Sequence, residues 1–304
     1  MKVRATLVVV CVLGAIAAST ISASAVTPVV VVSSPAIERY PAASTTFIAW
    51  TRDTIQHHRF ISSVMAEPVG GTPFRVSSKG GTGGIDGSTL IYGDGQGDIA
   101  LFDLSTKTAL PVPNGVNTNA NESALGISGT HLLFARFHPH GYSVVLFDTS
   151  TGTSLVVYSH KDAPGTGAFA VLQTAQLNGN YAAWDQYVLS RNFTEIRCDV
   201  TLYDIAAATL TRVPNPNKRC QSGPAVSADG TLYFDRSGLS CGQHARIIDQ
   251  PLGGTGSVLY SFPKGHDYAG AAAVDNGDGT TDVYFDPLNC RRSFSGDIYK
   301  LPGV

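Results

Sequence analysis

Beyond residue 25 the chain is a succession of short apolar runs, each about five residues long and alternating with polar positions. Glycine-rich turns separate the runs. That period-2 pattern predicts strands with one buried face, and no 3.6-residue periodicity persists for more than about ten residues. One run per unit ends in an aromatic: Trp50, Tyr92, Phe134, Trp184, Phe234 and Phe285, spaced by 42, 42, 50, 50 and 51 residues. A turn pair precedes the aromatic in the later units: Asp86-Gly87, Ser128-Gly129, Asn178-Gly179, Asp229-Gly230 and Asp278-Gly279. Such pairs favour the positive φ angles of tight hairpins. A further alternating run then closes on an acid, as at Asp103, Asp148, Asp204 and Asp249.

Each unit therefore predicts four short antiparallel strands. In the fifth they are Pro224–Ala228, Thr231–Arg236, Ala245–Asp249 and Ser257–Phe262. Four strands repeated every 40 to 50 residues predict an all-β fold, a six-bladed β-propeller of four-stranded antiparallel blades. A β-sandwich would account for short strands but not for six matching landmarks. The last unit ends after a third strand at Asp297–Leu301. The β-branched run Val29–Val32 is expected to supply its missing outer strand and so close the ring.

The stretch Pro224-Ala-Val-Ser-Ala-Asp-Gly-Thr-Leu-Tyr-Phe234 resembles the repeat of TolB-type β-propellers: a Ser, one residue, Asp-Gly, then an apolar strand ending in an aromatic. The stretches Ile85–Tyr92 and Ile127–Phe134 are similar in looser form. The resemblance spans nearly all of the chain after residue 25 and implies six blades. It does not extend to the α/β domain that precedes the propeller in TolB, nor to the hydrolase domain attached to peptidase propellers of this type. What it implies for function is an exported propeller that serves as a binding scaffold.

Ahead of the repeats, Lys2 and Arg4 precede the uncharged 13-residue run Thr6–Ala18 and the small residues Ser22–Ala25. This is the layout of a secretory signal peptide over residues 1–25, with cleavage expected after Ala25 and a single propeller domain over 26–304. The run falls short of the 18 or so residues of a membrane span. The expectation is a secreted or periplasmic monomer without a transmembrane segment. With 21 basic against 23 acidic residues the chain lacks the basic excess of a nucleic-acid binder. Four cysteines follow the leader. An even count in an exported chain predicts disulfides, here Cys198–Cys220 and Cys241–Cys290, and no close pair suggests a zinc site.

Several motifs invite chemical readings. Gly238-Leu-Ser-Cys-Gly242 matches a nucleophile elbow but sits between strands, without the helix that elbow needs. Gly80–Gly84 and Gly93–Gly97 lack the following helix of a phosphate loop and are expected to be turns. Asp275–Asp282 has the flavour of a calcium loop, but strand flanks and Asp286 at the twelfth position predict a tight turn.

In a propeller, the loops joining second to third strands and outer strands to the next blade share one face, here the top. Seven of the eight histidines fall in such loops, His131 excepted. The candidate ligand-binding set on that face is Arg136, His138, His140, Asp185, Arg191, Asp235, His244, His266 and Asp286. No catalytic residue, cofactor or metal is expected. The leading reading is a non-catalytic scaffold binding a protein or cell-envelope ligand. The alternative is an extracellular carbohydrate-active lyase or hydrolase using His and Asp at the channel mouth, where glycoside hydrolysis would need two suitably spaced carboxylates.

Overall fold

The computed structural model describes residues 26–304 except 58, 163–168, 193–194, 216, 218, 239–244 and 290–295. The segment expected to be a signal peptide, His58, His244, Cys241, Cys290 and most of the Gly238–Gly242 motif therefore lie outside the described residues.

The described residues form six antiparallel sheets around a central channel, all strand and turn. From the channel outward, blade 1 comprises Ile37–Ala43, Phe47–Gln56, Arg59–Pro68 and Phe74–Ser77. Blade 2 comprises Gly81–Asp86, Thr89–Gly93, Ile99–Asp103 and Thr108–Leu110, and blade 3 Glu122–Ser128, His131–His138, Gly141–Asp148 and Thr153–Lys161. In blade 4 the inner strand is split into Phe169–Val171 and Ala175–Asn178, followed by Tyr181–Leu189, Glu195–Asp204 and Thr209–Arg212. Blade 5 comprises Cys220–Val226, Leu232–Ser237, Arg246–Gln250 and Ser257–Ser261. Blade 6 comprises His266–Asp275, Thr281–Asn289, Ile298–Leu301 and, on its outer edge, Val29–Val32. Val29 pairs with Lys300, Val30 with Tyr299 and Val32 with Ile298, so the ring closes by the N-terminal strand as expected.

The core is partitioned into six apolar clusters, one between each pair of neighbouring blades. Five landmark aromatics, Trp50, Phe134, Trp184, Phe234 and Phe285, are buried in these seams, while Tyr92 is half-buried. The landmark therefore repeats because every blade needs one large side chain to fill a seam.

Two local expectations change. Gly81–Gly84 is not a turn but the start of blade 2's inner strand. A Cβ on Gly83 would come within 2.8 Å of the Ala124 Cβ, so the glycine lets neighbouring inner strands approach closely near the axis. Blade 5's inner strand begins at Cys220, earlier than Pro224, because the strand continues through a bulge between Ser222 and Ala225. Cys198 and Cys220 form the expected disulfide, joining blades 4 and 5.

Candidate functional site

The inner strands share one irregularity. Register shifts fall between Arg39 and Ala42, Thr82 and Gly84, Ala124 and Gly126, Ser222 and Ala225, and Tyr268 and Ala271. In blade 4 the strand breaks outright between Val171 and Ala175. At the level of these interruptions lies a cavity of about 560 Å³, lined by inner-strand residues of blades 1, 2, 3, 4 and 6, by Thr51, Asp53 and Phe60–Ser62 of blade 1, by Lys79 and Gly80 ahead of blade 2, and by Gly93 and Gly95 at the end of its second strand. This is within the range of small-molecule sites. Below it the channel narrows among small residues such as Ala42, Gly84 and Ala272.

Gln176 bars that narrow section. Its Nε2 donates to the Ala273 carbonyl (2.8 Å), while its Oε1 accepts from the Ala273 and Val226 amides (3.0 and 2.9 Å). One side chain of blade 4 thus ties together the inner strands of blades 5 and 6 in the narrow part of the channel.

The wall carries two hydrogen-bonded groups. Arg39 is ion-paired with buried Asp53, whose other oxygen accepts from the Ser62 hydroxyl (2.6 Å). Thr51 and Thr82 are joined through their hydroxyls (3.0 Å), and Thr82 also donates to the Tyr40 carbonyl (2.6 Å). Second-strand and inner-strand side chains thereby lock one another into place across blades 1 and 2.

The candidate residues read from the sequence are not among the described residues of this wall. Asp185, Asp235 and Asp286 each directly follow a landmark aromatic and are fully buried. Asp185 accepts from the Gln173 and Thr174 amides, the Thr174 hydroxyl and the Gly223 amide, at 2.7–3.1 Å. Asp286 accepts from the Gly270 amide (2.7 Å) and the Tyr40 amide (3.1 Å). Asp185 and Asp286 therefore each staple their own inner strand to that of the next blade, one layer behind the cavity wall. Arg136 is held by Glu122 (2.8 Å) and by the carbonyls of Gly115 and Val116. His138, His140 and Arg191 are exposed and His266 is half-buried, away from the wall.

Asp235 differs from its two counterparts. Its Oδ1 accepts from the Arg246 amide (2.8 Å), while its buried Oδ2 has no hydrogen-bond partner among the described residues. Burial, with Asp267 adding to it, pushes this carboxyl from 3.8 up to about 8. The folded protein thus holds a proton that the unfolded chain releases, and stability falls as pH rises from 3.8 towards about 8. Asp235→Asn, which carries no charge, should show a Tm that gains on the wild type as pH rises through that window. Parallel Tm curves would contradict this assignment.

No family model matches the chain, and no curated protein matches it. Among solved structures, the chain is similar to TolB from Acinetobacter baumannii, with a TM-score of 0.51 and 15% identity over 85% of this chain and 64% of that one. The fold is that of a TolB-like propeller. An acylaminoacyl peptidase from Pyrococcus horikoshii is similar at TM-score 0.53 and 10% identity, over 87% of this chain and 51% of that one. An oligogalacturonate lyase in complex with manganese is similar at 0.50 and 11%, over 85% and 76%. The chain spans less than two thirds of the TolB and peptidase chains, and at these identities the likeness establishes fold alone.

Within this TolB-like propeller, Arg39, Tyr40, Thr82 and Gln176 escaped the sequence reading because they sit on inner strands, where alternation suggests only structure. The available signal was the glycine run Gly80–Gly84, which replaces side chains with space beside the axis.

Proposed function

We propose that the protein is an exported, non-catalytic binding scaffold whose protein or cell-envelope ligand anchors in the cavity at the top of the channel. The observation that carries this reading is the wall itself. It is preorganised by hydrogen bonds between blades, and its Asp53 carboxylate is already engaged by Arg39 and Ser62. Prearranged polar groups around a concavity are what recognition requires. Glycoside hydrolysis by a carbohydrate-active enzyme would need a second carboxylate, and among the described lining residues Asp53 is the one present. Export is supported by the leader pattern of residues 1–25 and by the Cys198–Cys220 disulfide, which suits an oxidising compartment. The proposed domain is a single propeller over 26–304, acting as a monomer.

A plug tests this reading. A Cβ on Gly81 would meet only the Thr51 Oγ1, at 3.5 Å, so a side chain at this position has room in the cavity without moving backbone. In Gly81→Phe, ligand retention from an envelope extract should fall by about 100-fold, equivalent to roughly 2.8 kcal/mol, with Tm nearly unchanged. Species retained equally by wild type and plug, identified by mass spectrometry, would show that the cavity is not the site.

A further inference from the structure

Four described non-glycine residues have positive φ: Tyr40, His57, Lys107 and Ala208. The last three lie in turns, whereas Tyr40 (φ 54°) lies inside the inner strand of blade 1 and lines the cavity. A bulky residue in this region is strained, and such strain persists where the surrounding structure enforces it, often at functional sites.

Blade 5 shows how the fold meets the same demand without strain. There Gly223 (φ 59°) donates its amide to Asp185 of the preceding blade (3.0 Å), just as Tyr40 donates to Asp286 of its preceding blade (3.1 Å). The left-handed turn belongs to the staple. Glycine adopts it freely, and tyrosine does not.

Seam packing does not account for the tyrosine, which belongs to none of the six apolar clusters. Its ring instead sits beside Gly270 of blade 6, where a Cβ would fall 3.2 Å from the Tyr40 Cδ1. The Arg39 guanidinium carbon is 5.4 Å from the ring centroid. Blade 6 therefore leaves space for the ring, and blade 1 accepts strain to put it there.

We propose that Tyr40 grips the ligand of this cavity and that the ligand is a sugar. The aromatic ring packs against the C–H face of a pyranose, and Arg39, Asp53 and the Thr51 and Thr82 hydroxyls take its hydroxyl groups. A sugar ring has an apolar face and a rim of groups that both donate and accept. The wall matches it with the aromatic rings of Tyr40 and Phe60, the donor-only heads of Arg39 and Lys79, the acceptor-only carboxylate of Asp53 and hydroxyls that do both. A wholly apolar ligand would bury these polar groups unpaired. This inference rests on the reading of the cavity as the binding site.

The test is an array of neutral and uronate-bearing oligosaccharides, probed with the wild type, Tyr40→Gly, Tyr40→Phe and Gly81→Phe. The wild type should bind a subset of the sugars, and the neutral and acidic arms identify which kind. Tyr40→Gly should lose about 30-fold or more in affinity while its Tm holds or rises, because glycine relieves the strain. Tyr40→Phe, which keeps the ring face, should stay within about threefold. Absence of wild-type binding to any sugar on the array overturns the proposal, as does a Tyr40→Gly variant that binds normally or loses Tm. If Gly81→Phe abolishes binding and Tyr40→Gly does not, the cavity reading stands and the role of Tyr40 falls. Full binding by both variants removes the two together.

Discussion

Asp185→Ala is expected to cost about 3–5 kcal/mol of stability, because it strips the partner from three backbone amides and one hydroxyl where water cannot replace it. For a domain of this size that corresponds to a Tm lower by roughly 6–15 °C. The loss is large because the staple has two ends. Three of the bonds hold the broken inner strand of blade 4 at Gln173 and Thr174, and the fourth holds Gly223 at the start of blade 5. Asp286 plays the same part between blades 6 and 1. Thermal and urea unfolding of Asp185→Ala would show the effect directly. A change below about 1 kcal/mol would mean that the carboxyl is an ordinary polar side chain rather than a staple.

Deleting residues 26–33 should lower Tm by about 10 °C. Val32 is 5% exposed and packs in the seam between blades 6 and 1 with Trp50, Met65 and Ile298, and Val31 packs against that cluster. Loss of the strand forfeits the burial of these side chains and uncovers Ile298, together about 4–6 kcal/mol at about 1.5–3 kcal/mol per aliphatic side chain. It also leaves the third strand of blade 6 as an open edge, which should promote self-association. A Tm within about 2 °C of the wild type would show that blade 6 holds without its borrowed strand.

The blades were legible in the sequence because two independent signals coincide at each one. Alternation marks the strands, and a turn pair such as Asp229-Gly230 marks the hairpin. Val29–Val32 could be assigned by elimination, since the first hairpin did not use it and the last unit lacked a strand. The inner-strand bulges of blades 1 and 5 were not legible, because they depend on where the preceding blade's Asp286 or Asp185 draws in a backbone amide.

The same cause separates the candidate residues read from the sequence from the proposed cavity. Polar residues near the top drew attention, but Trp184-Asp185, Phe234-Asp235 and Phe285-Asp286 recur at one position in three successive blades. A polar group repeated beside a buried aromatic serves the repeat. Arg39, Tyr40 and Asp53 converge on one blade's share of the wall, and it is this departure from the repeat that marks the proposed site.

A crystal structure of the protein with its tightest-binding array sugar tests the central claim most directly. The account predicts the sugar inside the cavity, with its ring against Tyr40 and its hydroxyls within hydrogen-bonding distance of Arg39 and Asp53. A sugar bound elsewhere, on the exposed His138 and His140 of blade 3 or among the bottom turns, would contradict it.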